Sequence, residues 1–201
     1  MSKLTDFKLL SFDVYGTLID YERGVLASLH PSLEKAGRTD IDPKEILKIS
    51  QPIFKDAQIE NPRQKYSDLL TSCHPKVLKD LGLPAPTEEE SRAFGASVGT
   101  WPAWEDSAAA LRRLKKNFKM VVLSNVDNKS FEENNKNSLE GFEWDLVLTA
   151  EDIGSYKPDR KNFEYMFEKV SHVTFVMCLF YNCACYQETS DESFPSKHLG
   201  S

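Results

Sequence analysis

The sequence lacks any uncharged apolar run long enough to cross a bilayer. The longest extends from Val173 to Tyr186, short of the roughly 20 residues that a spanning helix needs. No basic block stands out, and 31 acidic against 25 basic residues leave a net charge of −6. Nucleic-acid binding through backbone charge is therefore disfavoured. Cysteine is scarce, with Cys73 alone and Cys178, Cys183 and Cys185 crowded near the end. That is no disulfide framework for a chain of this size, and a reducing, cytoplasmic setting is expected. The C-x4-C-x-C spacing has no matching second pair, and His172 and His198 are not at ligand spacing, so no zinc site is expected. The opening segment is not expected to be a signal peptide, because Asp6 and Asp13 interrupt its apolar stretch. No internal repeat is visible.

What remains is an ordinary globular balance: 201 residues, 40% hydrophobic and 28% charged, enough to bury a core. Phe7 to Phe12 reads as a buried strand ending at Asp13, with Gly16 just beyond. Lys119 to Leu123 and Trp144 to Thr149 read as two further strands. An amphipathic helix over Ser107 to Lys115, capped by Asp106 or Ser107, precedes the second strand. The polar stretch from Asp127 to Glu140 reads as helix or loop, and Asn162 to Glu168 as another helix. Strands alternating with helices predict an α/β fold: a Rossmann-like parallel sheet core. Residues 20–104 break that rhythm, with helical patterns interrupted by Pro31, Pro43, Pro52, Pro62, Pro75, Pro84 and Pro86. They read as a helical cap inserted into a core formed by residues 1–19 and 105–170. Residues 171–201 read as a divergent tail that leaves the sheet incomplete at its C-terminal end. Val173 to Phe180 is a candidate strand there, and the remainder is expected to be irregular.

In an open parallel sheet, ligands collect at the carboxyl ends of strands. Asp13, Ser124 and Asn125 fall at such ends, and Lys157 follows the third strand by a short loop. A carboxylate there can act as a nucleophile, and a nearby ammonium keeps it ionised. Amides in the turn after Asp13, together with Thr17, are expected to hold an anion. Taken singly, each residue has a plainer reading as a helix cap or turn former. Trp101 and Trp104 read as packing or hinge residues, and His30 and His74 as surface or core residues.

Asp13-Val14-Tyr15-Gly16-Thr17-Leu18 resembles the first motif of the haloacid dehalogenase-like hydrolase superfamily. Ser124-Asn125 resembles the second, and Ser155-Tyr156-Lys157-Pro158-Asp159 the third. The resemblance covers residues 7 to about 170, with a helical cap after the first motif. Superfamily phosphatases place a second aspartate, a general acid, two residues after the nucleophile. Tyr15 stands there instead, as in the branch of L-2-haloacid dehalogenases, which work without metal. A phenol is no substitute for a carboxylate as proton donor near neutral pH.

That resemblance implies that Asp13 and Lys157 are catalytic, and that Tyr15, Thr17, Ser124 and Asn125 bind substrate. It implies no metal and no cofactor, a small-molecule substrate, no nucleic-acid or membrane partner, and compatibility with a homodimer. Asp13 would displace halide from C2 of a short haloacid, and water would hydrolyse the resulting ester. Thr17 and Ser124 would orient Asp13 and the substrate carboxylate, and Asn125 would cradle the halide. A magnesium-dependent small-metabolite phosphatase and a catalytically impaired binding relative stand as alternatives.

The chain departs from the family pattern in three places. Arg23, Arg38 and Arg63 are candidates for a cap arginine that helps halide leave, but none aligns with it. Phe163 stands where the branch has a tyrosine. A fourth-motif acid is missing: Asn182 only partly imitates its loop, and Glu188, Asp191 and Glu192 are poor substitutes.

Overall fold

The computed structural model describes residues 7–171, together with the backbone course of 175–180 and 183–188. Five strands form one sheet: β1 (Leu9–Phe12), β2 (Lys119–Ser124), β3 (Leu146–Thr149), β4 (Phe175–Phe180) and β5 (Cys183–Glu188). Their spatial order is β3-β2-β1-β4-β5. All four residues of β1 are buried, as expected of a parallel strand covered on both faces. β1 runs parallel to β2 and β4, and β2 parallel to β3. The α/β core is thus the architecture expected from the sequence.

The candidate strand of the tail is present as β4, and β5 stands where an irregular end was expected. β4 joins the sheet beside β1, and β5 closes that edge antiparallel to β4 with Cys178 opposite Cys185. The Cys-Ala-Cys-Tyr-Gln-Glu segment has no apolar alternation, and its strand is defined by pairing across the hairpin. The side chains of the three C-terminal cysteines, and all of Asn182, Asp191, Glu192, His172 and His198, lie outside the described residues.

Between β1 and β2 lie α1 (Tyr21–Lys35), α2 (Pro43–Glu60), α3 (Tyr66–Asp80) and α4 (Glu88–Ala96), then a 3-10 turn at Ser97–Thr100 and α5 (Ser107–Lys115). α6 (Asn128–Asn137) follows β2, and α7 (Ala150–Ile153) and α8 (Arg160–Lys169) follow β3. Pro31, Pro52 and Pro75 sit inside α1, α2 and α3, where the sequence suggested breaks. All three are exposed, so each bend and missing amide falls on the solvent side, where a packed helix can curve. Pro43 instead occupies a helix start, where its missing N–H costs nothing. α4 begins with a reciprocal capping box between Thr87 and Glu90. Asp106 precedes α5 but makes no side-chain cap, and the Ser107 hydroxyl donates to the Leu18 carbonyl at 2.7 Å. That bond ties α5 to the turn after β1.

β3 is shorter than the sequence suggested because Asp145 leaves the strand run. Its carboxylate accepts from Lys115, Lys119 and the Met120 amide at 2.6, 3.0 and 2.8 Å. The sheet has an apolar layer on each face. On one face Leu10, Phe12, Met120 and Val122 merge with the buried side chains of α1 to α4. On the other, Leu9, Val121 and Leu123 pack with Met166 and Val170. No helix among the described residues is long and apolar enough to cross a membrane.

Candidate active site

Strand register sets the site. Phe12 pairs with Val122 and with Leu179, and Ser124 with Thr149, so β1 to β4 all end at one edge. From β1 the sheet extends to β2 and β3 on one side and to β4 on the other, making the end of β1 the point where strand order reverses. This is where open α/β sheets bind ligands, and Asp13 is the next residue. Gly16, at φ 91°, supplies the left-handed backbone that turns the chain there.

The Lys157 ammonium donates to Asp13 Oδ1 at 2.8 Å and to the Leu123 carbonyl at 2.7 Å. Both side chains are mostly buried, at 13% and 15% exposure, so the pairing is screened far less than a surface ion pair. Asn125 locks the lysine in place. Its Oδ1 accepts from the Lys157 amide at 2.7 Å, and its Nδ2 donates to the Lys157 carbonyl at 2.9 Å and to Gln58 Oε1 at 3.1 Å. Both protons of the Asn125 amide are thereby engaged. These bonds position Lys157, and Asn125 also lines the cavity described next.

A cavity of about 480 Å³ opens above this pair. Asp13, Ser124, Asn125 and Lys157 line it from the sheet edge, and Tyr15, Tyr21, Phe54, Tyr66 and Trp104 give it aromatic walls. Gln51, Lys55 and Gln58 line it from α2, and Glu22 from α1. Thr17 does not line it. The hydroxyls of Tyr15, Thr17 and Ser124 are all buried with no hydrogen-bond partner among the described residues. Unsatisfied buried hydroxyls are costly, and those of Tyr15 and Ser124 belong to residues lining the cavity.

Burial pushes the Tyr15 phenol well above its ordinary value, and the charges of Asp127, Asp13 and Glu133 push the same way. Burial also takes Tyr21 up to about 12, against an opposing hydrogen bond from Tyr66. Near neutral pH these phenols are uncharged donors, unable to release a proton as a carboxylic acid would. Tyr15 stands edge-on to buried Trp101 at 5.7 Å between ring centroids, and Tyr21 does the same at 5.4 Å.

Of the amides after Asp13, four are closed to the anion expected from the sequence. Those of Gly16, Thr17, Leu18 and Ile19 donate to backbone carbonyls of Ile19 and Val14. None of Arg23, Arg38 and Arg63 lines the cavity: Arg23 lies in a separate surface pocket beside Trp104, and Arg38 bonds Asp40 at 3.0 Å. The cap cation that lines it is Lys55, which sequence reading missed. Its only available signal is the spacing Gln51, Lys55, Gln58, which shares one face of a helix. Glu188 pairs with Phe175, at the start of β4, which places it at the sheet edge away from Asp13.

A family model for haloacid dehalogenase-like hydrolases matches residues 7–176. No curated protein matches the chain. Among solved structures, a defluorinating L-2-haloacid dehalogenase superposes with a TM-score of 0.74 at 17% identity, over 87% of this chain and 73% of that one. The L-2-haloacid dehalogenase from Xanthobacter autotrophicus, with chloropropionic acid covalently bound, gives 0.67 at 18% identity, over 82% of this chain and 65% of that one. YfnB from Bacillus subtilis, described as a HAD-hydrolase and bound to magnesium, gives 0.67 at 16% identity, over 87% and 79%. At these identities the likeness shows a shared fold.

Proposed function

The chain belongs to the haloacid dehalogenase-like hydrolase family, and from that premise we propose a hydrolase that displaces halide from a short (S)-2-haloalkanoic acid through an aspartyl ester. The observation that carries this reading is the Asp13–Lys157 pair at 2.8 Å, at the base of an aromatic-walled cavity. A carboxylate paired with an ammonium and largely shielded from water is a competent nucleophile toward saturated carbon. One Asp13 oxygen attacks C2, the C–O bond forms as the carbon–halogen bond breaks, and halide departs with the bonding pair. Water then attacks the ester carbonyl of Asp13. The 2-hydroxy acid leaves with the original aspartyl oxygen, and the carboxylate is restored with one oxygen from water and release of a proton. Lys157 stabilises the negative charge that develops on the ester carbonyl oxygen during hydrolysis. The uncharged hydroxyls of Tyr15 and Ser124 supply donors to the substrate carboxylate.

Magnesium, which serves phosphatases of this fold, does not suit the described donor set. The carboxylates lining the cavity are Asp13 and Glu22, and the first already carries an ammonium group. A small hard cation needs several oxygen ligands in near-octahedral array. A cytoplasmic setting accords with the absence of a disulfide pattern in the sequence.

Chloride release from (S)- and (R)-2-chloropropionate, with wild type beside Asp13→Asn, tests the proposal. Wild type is expected to release chloride from the (S) enantiomer and the variant from neither. Silence toward both enantiomers, or full activity in Asp13→Asn, contradicts it.

A further inference from the structure

The Asp13–Lys157 pair is only part of the cavity lining, and the cavity, at about 480 Å³, lies within the range of pockets that hold drug-sized ligands. A three-carbon acid seated on Asp13 leaves much of it unfilled. The remaining lining includes a polar row on α2, where Gln51 and Lys55 are one turn apart on the face that also carries Gln58. Lys55 is exposed, and no ion pair joins it to a described residue. The second carboxylate of the cavity, Glu22, comes from another helix and also lines the neighbouring surface pocket with Arg23. An ammonium with no ion pair among the described residues, on a helix face shared with two amide side chains in a cavity with aromatic walls, is a receptor for an oxyanion.

We propose that Lys55 and Gln51 form a second anion subsite, making the preferred substrate a 2-haloacid with a further carboxylate at its distal end. This rests on the reading of Asp13 as the nucleophile. In that substrate the first carboxylate and C2 lie over Asp13 and Ser124, the methylene chain runs along Phe54 and Tyr66, and the second carboxylate meets Lys55. Gln58 joins the same helix face to Asn125 at 3.1 Å, so an anion drawn onto α2 also steadies the residue that locks Lys157.

Calorimetric titration with unreactive acids tests the subsite without calling on dehalogenation. Succinate, glutarate and adipate are compared with butyrate, pentanoate and hexanoate of matched length. At least one dianion is expected to bind wild type about tenfold more tightly than its monoanion. Lys55→Gln should bring that ratio close to one, and Lys55→Arg should preserve it. Equal binding of dianions and monoanions by wild type, or a preference that survives Lys55→Gln, overturns the subsite. A dianion preference in a protein that releases no chloride from 2-chloropropionate upholds the subsite and rejects the nucleophile reading. Chloride release without a dianion preference does the reverse.

Discussion

Lys157 does two jobs with one nitrogen: it pairs with Asp13 Oδ1 and it bonds the Leu123 carbonyl at the end of β2. The second bond fixes the height of the ammonium above the sheet, so the first stays short without depending on substrate. Lys157→Met leaves a mostly buried carboxylate with no cation beside it. Turnover is expected to fall about 100-fold or more, the scale of losing one preorganised donor. Steady-state rates with (S)-2-chloropropionate would show the fall. Asp13, Ser124, Asn125 and Lys157 were legible in the sequence because each ends a strand, follows one or lies a short loop beyond one. Tyr21, Gln51, Lys55 and Tyr66 were not. They come from helices whose inward face is decided by packing against the sheet, which the local spacing of residues does not specify.

At the scale of single elements, the cap packs tightly around groups that titrate. A Cβ built at Gly95 of α4 would lie 2.1 Å from Thr71 Oγ1 and 2.2 Å from the Ser67 carbonyl of α3. The two helices therefore approach as closely as backbone allows. Between them His74 is 1% exposed, stacked on Phe94 at 4.5 Å and bonded to Ser32 and Ser91, each at 3.3 Å. Burial lowers its pKa from 6.5 to about 4, with Glu90 pulling weakly the other way. Between those two values the unfolded chain binds a proton that the folded chain does not, so stability falls as pH drops from 6.5 toward 4. The loss is on the order of 3 kcal/mol and levels off below the folded value.

Asp145 acts in a lower window. Burial opposes its ionisation, but bonds from Lys115, the Met120 amide and Lys119 outweigh that and bring it to about 2. Its contribution is lost only as pH falls from 3.8 toward 2. Urea unfolding at a series of pH values is expected to show the higher slope in wild type and a flattened one in His74→Phe. A full slope in that variant would place the titration elsewhere. The sequence marked His74 as a bland core or surface residue, and its partners Ser32 and Ser91 come from α1 and α4, beyond the reach of local spacing.

Across the whole molecule, the cap is tied to the core close to the cavity. Besides Gln58 with Asn125, the Tyr156 hydroxyl donates to the Gln64 carbonyl at 2.5 Å. The Ser67 amide donates to Asp127 at 2.9 Å, and Lys65 pairs with Glu151 at 2.8 Å. These ties and the shared apolar cluster set one volume over Asp13. Parallel topology was readable because β1, β2 and β3 are apolar runs, each spaced from the next by helical pattern. β5 was not, since its residues become a strand only by pairing with β4. In the proposed reaction Asp13 becomes covalently linked to substrate. A single turnover of (S)-2-chloropropionate by excess enzyme in heavy-oxygen water measures this directly, by mass spectrometry of the Asp13 peptide and of the lactate formed. Heavy oxygen is expected in Asp13, with an unlabelled hydroxyl in the product. A labelled hydroxyl beside an unlabelled Asp13 would mean that water attacks the substrate itself, and would contradict the account.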